Sequence, residues 1–191
     1  DLYSPYAALV AQLVNDSIYQ VEAATDWSAL FDAFSTLIPY EEVPLVGRGQ
    51  RFKIDYIISN QSDTELTKTT RRWIMSQAIK NGGIGGGYQY GEPTRWCNKS
   101  TDENGDATIQ LDRRPQSGFE TISIVGWQRS AKLTNPTDVI KVPSIPVRDL
   151  AIALAVRERG EADSQTAQEY FVIAKRTLSD AVAFDSARND E

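Results

Sequence analysis

The side chains that carry most protein chemistry are scarce in this sequence. It has no histidine, and Cys97 is its one cysteine. The commonest general base, the usual proton shuttle and the most frequent metal ligand are therefore missing. Neither an intrachain disulfide nor a thiolate zinc cluster can form. With no imidazole to activate it, Cys97 is a poor nucleophile and reads as a small apolar filler beside Trp96. Any enzyme here must work with carboxylates, lysine, tyrosine or serine.

Two-carboxylate hydrolysis needs its acids roughly 5–9.5 Å apart in a cleft. Glu41-Glu42, Asp102-Glu103 and the Glu161/Asp163 pair could be imagined so, but among 26 acids such neighbours arise by chance and read as surface. The run Asp102-Glu103-Asn104-Gly105-Asp106 resembles a cation loop without its distal bidentate glutamate. Asn104-Gly105 makes it a hairpin turn instead. Gly82-Gly83-Ile84-Gly85-Gly86-Gly87 has no Gly-Lys-Ser/Thr ending and no βαβ unit around it, so it is not a phosphate loop. It reads as a loop that orders against a neighbouring subunit, and Gly83, Gly85, Gly86, Tyr88 and Tyr90 are the expected subunit contacts. Trp27, Trp73, Trp96 and Trp127 are spread singly and read as core pieces or interface anchors. No catalytic residue, cofactor or metal is expected.

The elements that position these residues follow from periodicity. Tyr6, Leu9, Val10, Leu13, Val14, Ile18 and Val21 recur at spacings of three and four, predicting an amphipathic helix from Tyr6 to about Ala24. Ser4-Pro5 opens it with a cap candidate and a proline at the first helical position. Thr25-Asp26 breaks it. The stretch Trp27 to Tyr40 has both helical and strand patterns. Phe52 to Ile58 reads as a strand with Phe52, Ile54 and Tyr56 on one face, and Thr64 to Thr70 as its partner. Arg71 to Lys80 reads as a short helix ending at Asn81-Gly82-Gly83.

From Tyr88 to Val142 the pattern is β throughout. Ile109 and Leu111 share a face. In the long strand Phe119 to Arg129, Ile122 and Ile124 face one way, Val125 and Trp127 the other, as in a two-layer β unit. Pro146 then enters a helix lined by Val147, Leu150, Ala151, Leu154 and Ala155, with Gly160 as its C′ residue. Asp163 caps a last helix with Ala167, Tyr170, Phe171, Ala174, Leu178 and Val182 on its apolar side. Past Val182 the stripe fades, so Ala183 to Glu191 should be mobile in the free chain.

The expected fold is α+β. Residues 1–36 and 144–191 form an antiparallel bundle, the N-terminal helix with a C-terminal helical hairpin, and residues 37–143 form a β-rich insertion. Leu13, Ile18, Leu150, Leu154, Phe171 and Leu178 should make the bundle core. The net charge of −6 disfavours a protein that grips nucleic acid, which needs a basic footprint. It suits a wall past which DNA slides. No apolar run approaches the ~18 residues of a membrane span, and the N-terminus lacks the basic-then-apolar order of a signal peptide.

The order of elements resembles the head-to-tail adaptor (connector, tail tubular A type) proteins of podophages and related tailed phages. The resemblance rests on the N-terminal helix leading into Thr25-Asp26-Trp27-Ser28-Ala29-Leu30, then on Gly91-Glu92-Pro93-Thr94-Arg95-Trp96, similar to the family's Gly-x-Pro-x-x-aromatic step. It continues with Ile109-x-Leu111-x-x-x-Pro115 before the strand Thr121 to Trp127, and with Val142-Pro143 before the two final helices. Glu41 to Gly49 departs from the family's Leu-Pro-x-Asp turn. The resemblance implies a virion structural protein, not an enzyme: a dodecameric ring between the portal and the tail nozzle, with DNA passing through its lumen unread. It also implies that the C-terminal segment meets the portal, through Phe184, Asp185 and Arg188. The competing readings are another tail or baseplate component, a carbohydrate-binding module argued from the aromatic content, and a carboxylate enzyme.

Overall fold

Helix α1 (Pro5–Ala24) forms where its apolar stripe predicts. The structure, a computed structural model, describes residues 5–48, 52–82, 88–103, 105–116, 120–135, 137–161 and 165–189. The protein is a mixture of helices and sheets, and the chain divides into two units. Residues 1–30 and 129–191 make one, residues 31–128 the other. Ser4, Asp163 and the Gly83, Gly85 and Gly86 contacts lie outside the described residues.

The first unit holds α1, a 3-10 turn (Ser28–Leu30), α3 (Ser144–Val156) and α4 (Gln165–Asn189). Helix α3 packs against both α1 and α4. Leu13, Ile18, Val21, Val147, Ala153, Leu154, Ala167 and Ala174 are buried. Leu150, Phe171 and Leu178, expected in the same core, are only half-buried. Pro146 stands in the first turn of α3, where an N–H would lack an intrahelical partner. Gly160 does not end that helix: the chain widens into a π turn, Arg157–Glu161, that contains it. The last helix runs on to Asn189, so residues 183–189 of the tail expected to be mobile are helical. Asp185 explains part of this, because its carboxylate accepts from the backbone N–H (3.0 Å) and hydroxyl (2.5 Å) of Ser28.

The β pattern expected up to Val142 stops at Gln128. Described residues from Arg129 to Pro143 form no strand, and hydrogen bonds from α1 hold them. Asn15 donates to Leu133 O (3.2 Å) and accepts from Leu133 N–H (2.8 Å), while buried Glu22 accepts from Ser130 N–H at 3.0 Å. Bonds of this kind replace a sheet ladder for a segment with two prolines. The later unit boundary therefore lies at Gln128/Arg129.

The second unit opens on β1 (Phe31–Leu37), so the ambiguous stretch divides into the 3-10 turn and this strand, and the earlier boundary falls at Leu30/Phe31. Strands β2 (Glu42–Pro44), β3 (Phe52–Ser59), β4 (Thr64–Glu65) and β5 (Thr67–Lys68) follow, then α2 (Arg71–Gly82). After it come β6 (Gln89–Tyr90), β7 (Arg95–Thr101), β8 (Ala107–Leu111), β9 (Arg113–Arg114) and β10 (Thr121–Gln128). One sheet has the order β1-β10-β3-β4, a second β2-β8-β7-β5, and β6 with β9 makes a small ribbon. Both larger sheets feed one core: Phe52, Ile57, Ile122 and Ile124 from the first, Val43, Trp96, Ile109 and Leu111 from the second. The alternation read in β8 and β10 is thus the alternation observed.

The face read for β3 needs correction. Val125 pairs with Tyr56 and Gly126 with Ile54, so Asp55 is an extra residue. This β-bulge flips the alternation. Phe52 and Ile54 pack on the core, and beyond the bulge Ile57 takes the place that Tyr56 was expected to fill. At Gly126 a Cβ would meet the Lys53 carbonyl oxygen at 2.1 Å, so the close approach requires glycine.

The Gly91-to-Trp96 step has local causes. Gly91 has φ +143° and donates to Arg114 O at 3.0 Å. The Asp112 carboxylate accepts from Thr94 N–H (2.9 Å), the Thr94 hydroxyl (2.8 Å) and Arg95 N–H (2.9 Å). Those bonds fix the entry to β7 and deliver Trp96 to the core. At the departing stretch after β2, Gly47 (φ +80°) donates to Asp106 at 2.7 Å. Arg48 then lies 4.0 Å above the Phe34 ring and pairs with Asp32.

Candidate assembly surfaces

Several of the candidates for chemistry among the described residues have a structural use. Glu41, just before β2, and Glu42 in it answer different cations, Arg114 at 3.9 Å and Lys99. Asp102 and Asp106 build a turn: Gly105 N–H donates to Asp102 O (3.0 Å) with Gly105 at φ +82°, and Asp106 N–H donates to the Asp102 carboxylate at 2.8 Å. Trp27 and Trp96 are buried. Trp73 and Trp127 carry Arg95 at 4.1 Å and Lys53 at 5.2 Å over their rings. The tryptophans therefore present no common stacking face.

Cys97 is buried, as its filler role expects, and burial pushes its thiol up. It lies on the outer side of the second sheet, paired in register with Gln110, which also pairs with Glu42. Helix α2 packs on β7 and buries Ile74 and Ala78. Tyr88 closes this small layer, its hydroxyl accepting from the Gln110 amide. Burial raises the Tyr88 phenol, Glu41 and Glu42 raise it further, and Arg71 works against them. Tyr88 is thus an internal fastener. Tyr90 is different: it is exposed, and the Arg114 guanidinium stands 5.8 Å from its ring and 5.0 Å from that of exposed Tyr40. Sequence spacing gave no hint of this stack, because Tyr40, Tyr90 and Arg114 meet only through the fold.

In the helical unit, Phe184 is 67% exposed, with the Arg188 guanidinium 5.9 Å from its ring. Asp185 is bonded to Ser28 of its own unit, so the three residues expected at the portal do not form one free set. Exposed apolar residues go well beyond them: Tyr6, Leu9 and Val10 on α1, Ile145 and Ile152 on α3, Tyr170, Val172 and Ile173 on α4.

Between α1 and α3 lies a mostly apolar groove of about 390 Å³, lined by Val10, Leu13 and Val14 of α1 and by Val147, Ala151, Ile152 and Ala155 of α3, with Ile140, Ser144 and Arg148 also in its lining. The sequence carried a signal for it that periodicity alone overlooks. From Pro5 to Val14 there is no charged residue and Gln12 is the one amide, and a helix segment with so little polar surface is normally covered. Among the described residues no helix is long and apolar enough to cross a membrane.

No known family model matches this chain, and no curated protein matches it in sequence.

Proposed function

We propose that the chain is a structural subunit of a tailed bacteriophage, assembling into a dodecameric ring that joins the portal to the tail nozzle. In this reading the helical unit is an antiparallel bundle and the β unit an insertion into it. The supporting observation is the exposed apolar surface of all three long helices. A lone chain gains nothing from such a surface, while a subunit that meets copies of itself buries it. Asp102, Asp106, Asp112 and Tyr88 serve turns, a strand entry and an internal fastener, and a ring subunit needs no catalytic group. The order of elements resembles the adaptor family over nearly the whole chain.

Charge supports the channel role. Residues 1–30 and 129–191 hold 9 basic against 14 acidic residues, a net −5, and residues 31–128 hold 11 against 12, a net −1. An acidic ring lumen would repel the DNA passing through it. The assembly would then sit in the neck of the virion, with the portal, the nozzle and unread DNA as its partners. Negative-stain imaging of the chain mixed with purified portal rings tests this. One added layer on one end of the portal is expected; portal rings left bare at saturating chain would overturn the adaptor reading.

A further inference from the structure

The first sheet ends in an edge that is both open and long. Strand β1 runs seven residues and, among the described residues, has β10 as its one neighbour. The other edges of the two larger sheets are short: β2 has three residues and ends at Pro44, and β4 and β5 have two each. Natural edges are blunted by such shortness, by proline or lysine, or by a bulge. Strand β1 has no proline, lysine or arginine, and its pairing with β10 has no register shift.

Alternation fixes which backbone groups face outward. Ile38 N–H donates to Glu120 O at 2.9 Å, so residue 38 bonds toward β10. In an antiparallel pair the bonded side alternates, so Asp32, Phe34 and Thr36 do the same. The N–H and C=O groups of Phe31, Ala33, Ser35 and Leu37 therefore face away from the sheet. At the far end the Thr36 hydroxyl approaches Leu37 O at 3.4 Å, a weak bond. The same four residues are exposed, Phe31 at 51% and Leu37 at 55%.

The strand is complementary to itself. Two antiparallel copies overlap over all seven residues when Phe34 faces Phe34. That register brings the outward backbone groups together and sets Phe31 opposite Leu37, Asp32 opposite Thr36 and Ala33 opposite Ser35. The two most exposed apolar residues of the strand thus cover each other, once at each end, and no charge stands directly across from a like charge. Asp32 pairs with Arg48 of its own copy. Residues 31–128 hold 11 basic against 12 acidic residues, so little repulsion opposes a contact made through this unit.

We infer that β1 of one copy pairs antiparallel with β1 of a second copy, joining two four-stranded sheets into one of eight. The contact is isologous and closes at two copies. It does not build the ring proposed above, and it stands or falls apart from that reading.

Cross-linking reads the register. Phe31→Cys and Leu37→Cys copies, mixed and oxidised with diamide, should form an interchain disulfide, because facing Cα atoms lie ~5.5 Å apart. Either variant alone should not link, since its two new cysteines stand six residues, or ~20 Å, apart along the seam. Adding Ser35→Pro to both should abolish the link, because it removes an outward N–H and leaves the bonds to β10 in place. Circular dichroism checks that each variant folds. In the parent, the Ala33, Ser35 and Leu37 amides should exchange hydrogen as slowly as those of Phe34 and Thr36 at high protein concentration, and faster on dilution. That measurement decides the matter if Phe31→Cys, which loses a ring contact with Trp127, fails to fold. A folded mixture that forms no link, single variants that link as well as the mixture, or outward amides that exchange freely at every concentration would each overturn the inference.

Discussion

At Gly126 one hydrogen atom decides whether a strand pair closes. The bulge that adds Asp55 to β3 brings the Lys53 carbonyl so near that a methyl group has no room. Gly126→Ala should cost about 3 kcal/mol, the upper end for overpacking. Gly47→Ala, where φ is +80° but nothing lies within 4 Å, should cost only about 1 kcal/mol. Urea unfolding of the two variants checks both. Tyr88 supports a second prediction, in pH. Burial, aided by Glu41 and Glu42, raises its folded-state pKa above the unfolded value of about 10. The stability this group allows is complete below that value and is lost as pH rises from the unfolded pKa through the folded one. Above pH 10 the parent should lose stability more steeply than Tyr88→Phe. Equal slopes would mean that Tyr88 is not held neutral by its surroundings.

Elements were legible in proportion to how far their pattern runs. Helices α1, α3 and α4 carry apolar positions over several turns, and α1 and α3 begin within two residues of where the stripes predict. Strands β8 and β10 were legible because Ile109 and Leu111, and Ile122 and Ile124, share the side turned to the core, although Gln110 and Val125 on the other side are buried too. The misreadings cluster where one residue changes the phase. Asp55 turns Tyr56 away and Ile57 in, and no propensity marks it. Gly160 looks like a helix stop, but the chain around it widens into a π turn. The segment from Arg129 to Pro143 has strand-like composition, yet its hydrogen bonds go to Asn15 and Glu22, more than a hundred residues earlier. The surfaces were less legible than the elements. The stack of Tyr90 with Arg114 and Tyr40 was not legible, and neither was the groove, because a stripe at spacings of three and four shows that a helix has an apolar side but not which of its residues a neighbouring element leaves uncovered. The stability prediction at this scale contrasts two leucines on α3. Leu154 is 4% exposed and Leu150 half-buried. Leu154→Ala should cost roughly 2–5 kcal/mol, and Leu150→Ala clearly less. Equal losses in denaturant would show that the seams of α3 are misplaced.

For the whole molecule, the helical unit leaves apolar side chains on α1, α3 and α4 in water, including Phe184 at 67% and Tyr6 at 60% exposure. A chain that keeps such a surface uncovered in water invites association, and directed association makes a closed assembly instead of an aggregate. Net charge opposes indiscriminate association, since copies at −6 repel one another unless a specific contact outweighs the repulsion. Assembly should therefore depend on concentration and strengthen with salt, as screening weakens the repulsion between acidic copies. The most direct test is the light-scattering mass of the purified chain across a range of protein concentration and ionic strength. One closed species at a fixed multiple of 21.2 kDa, gaining population with concentration and salt, is the predicted result. A mass of 21.2 kDa under every condition would contradict it.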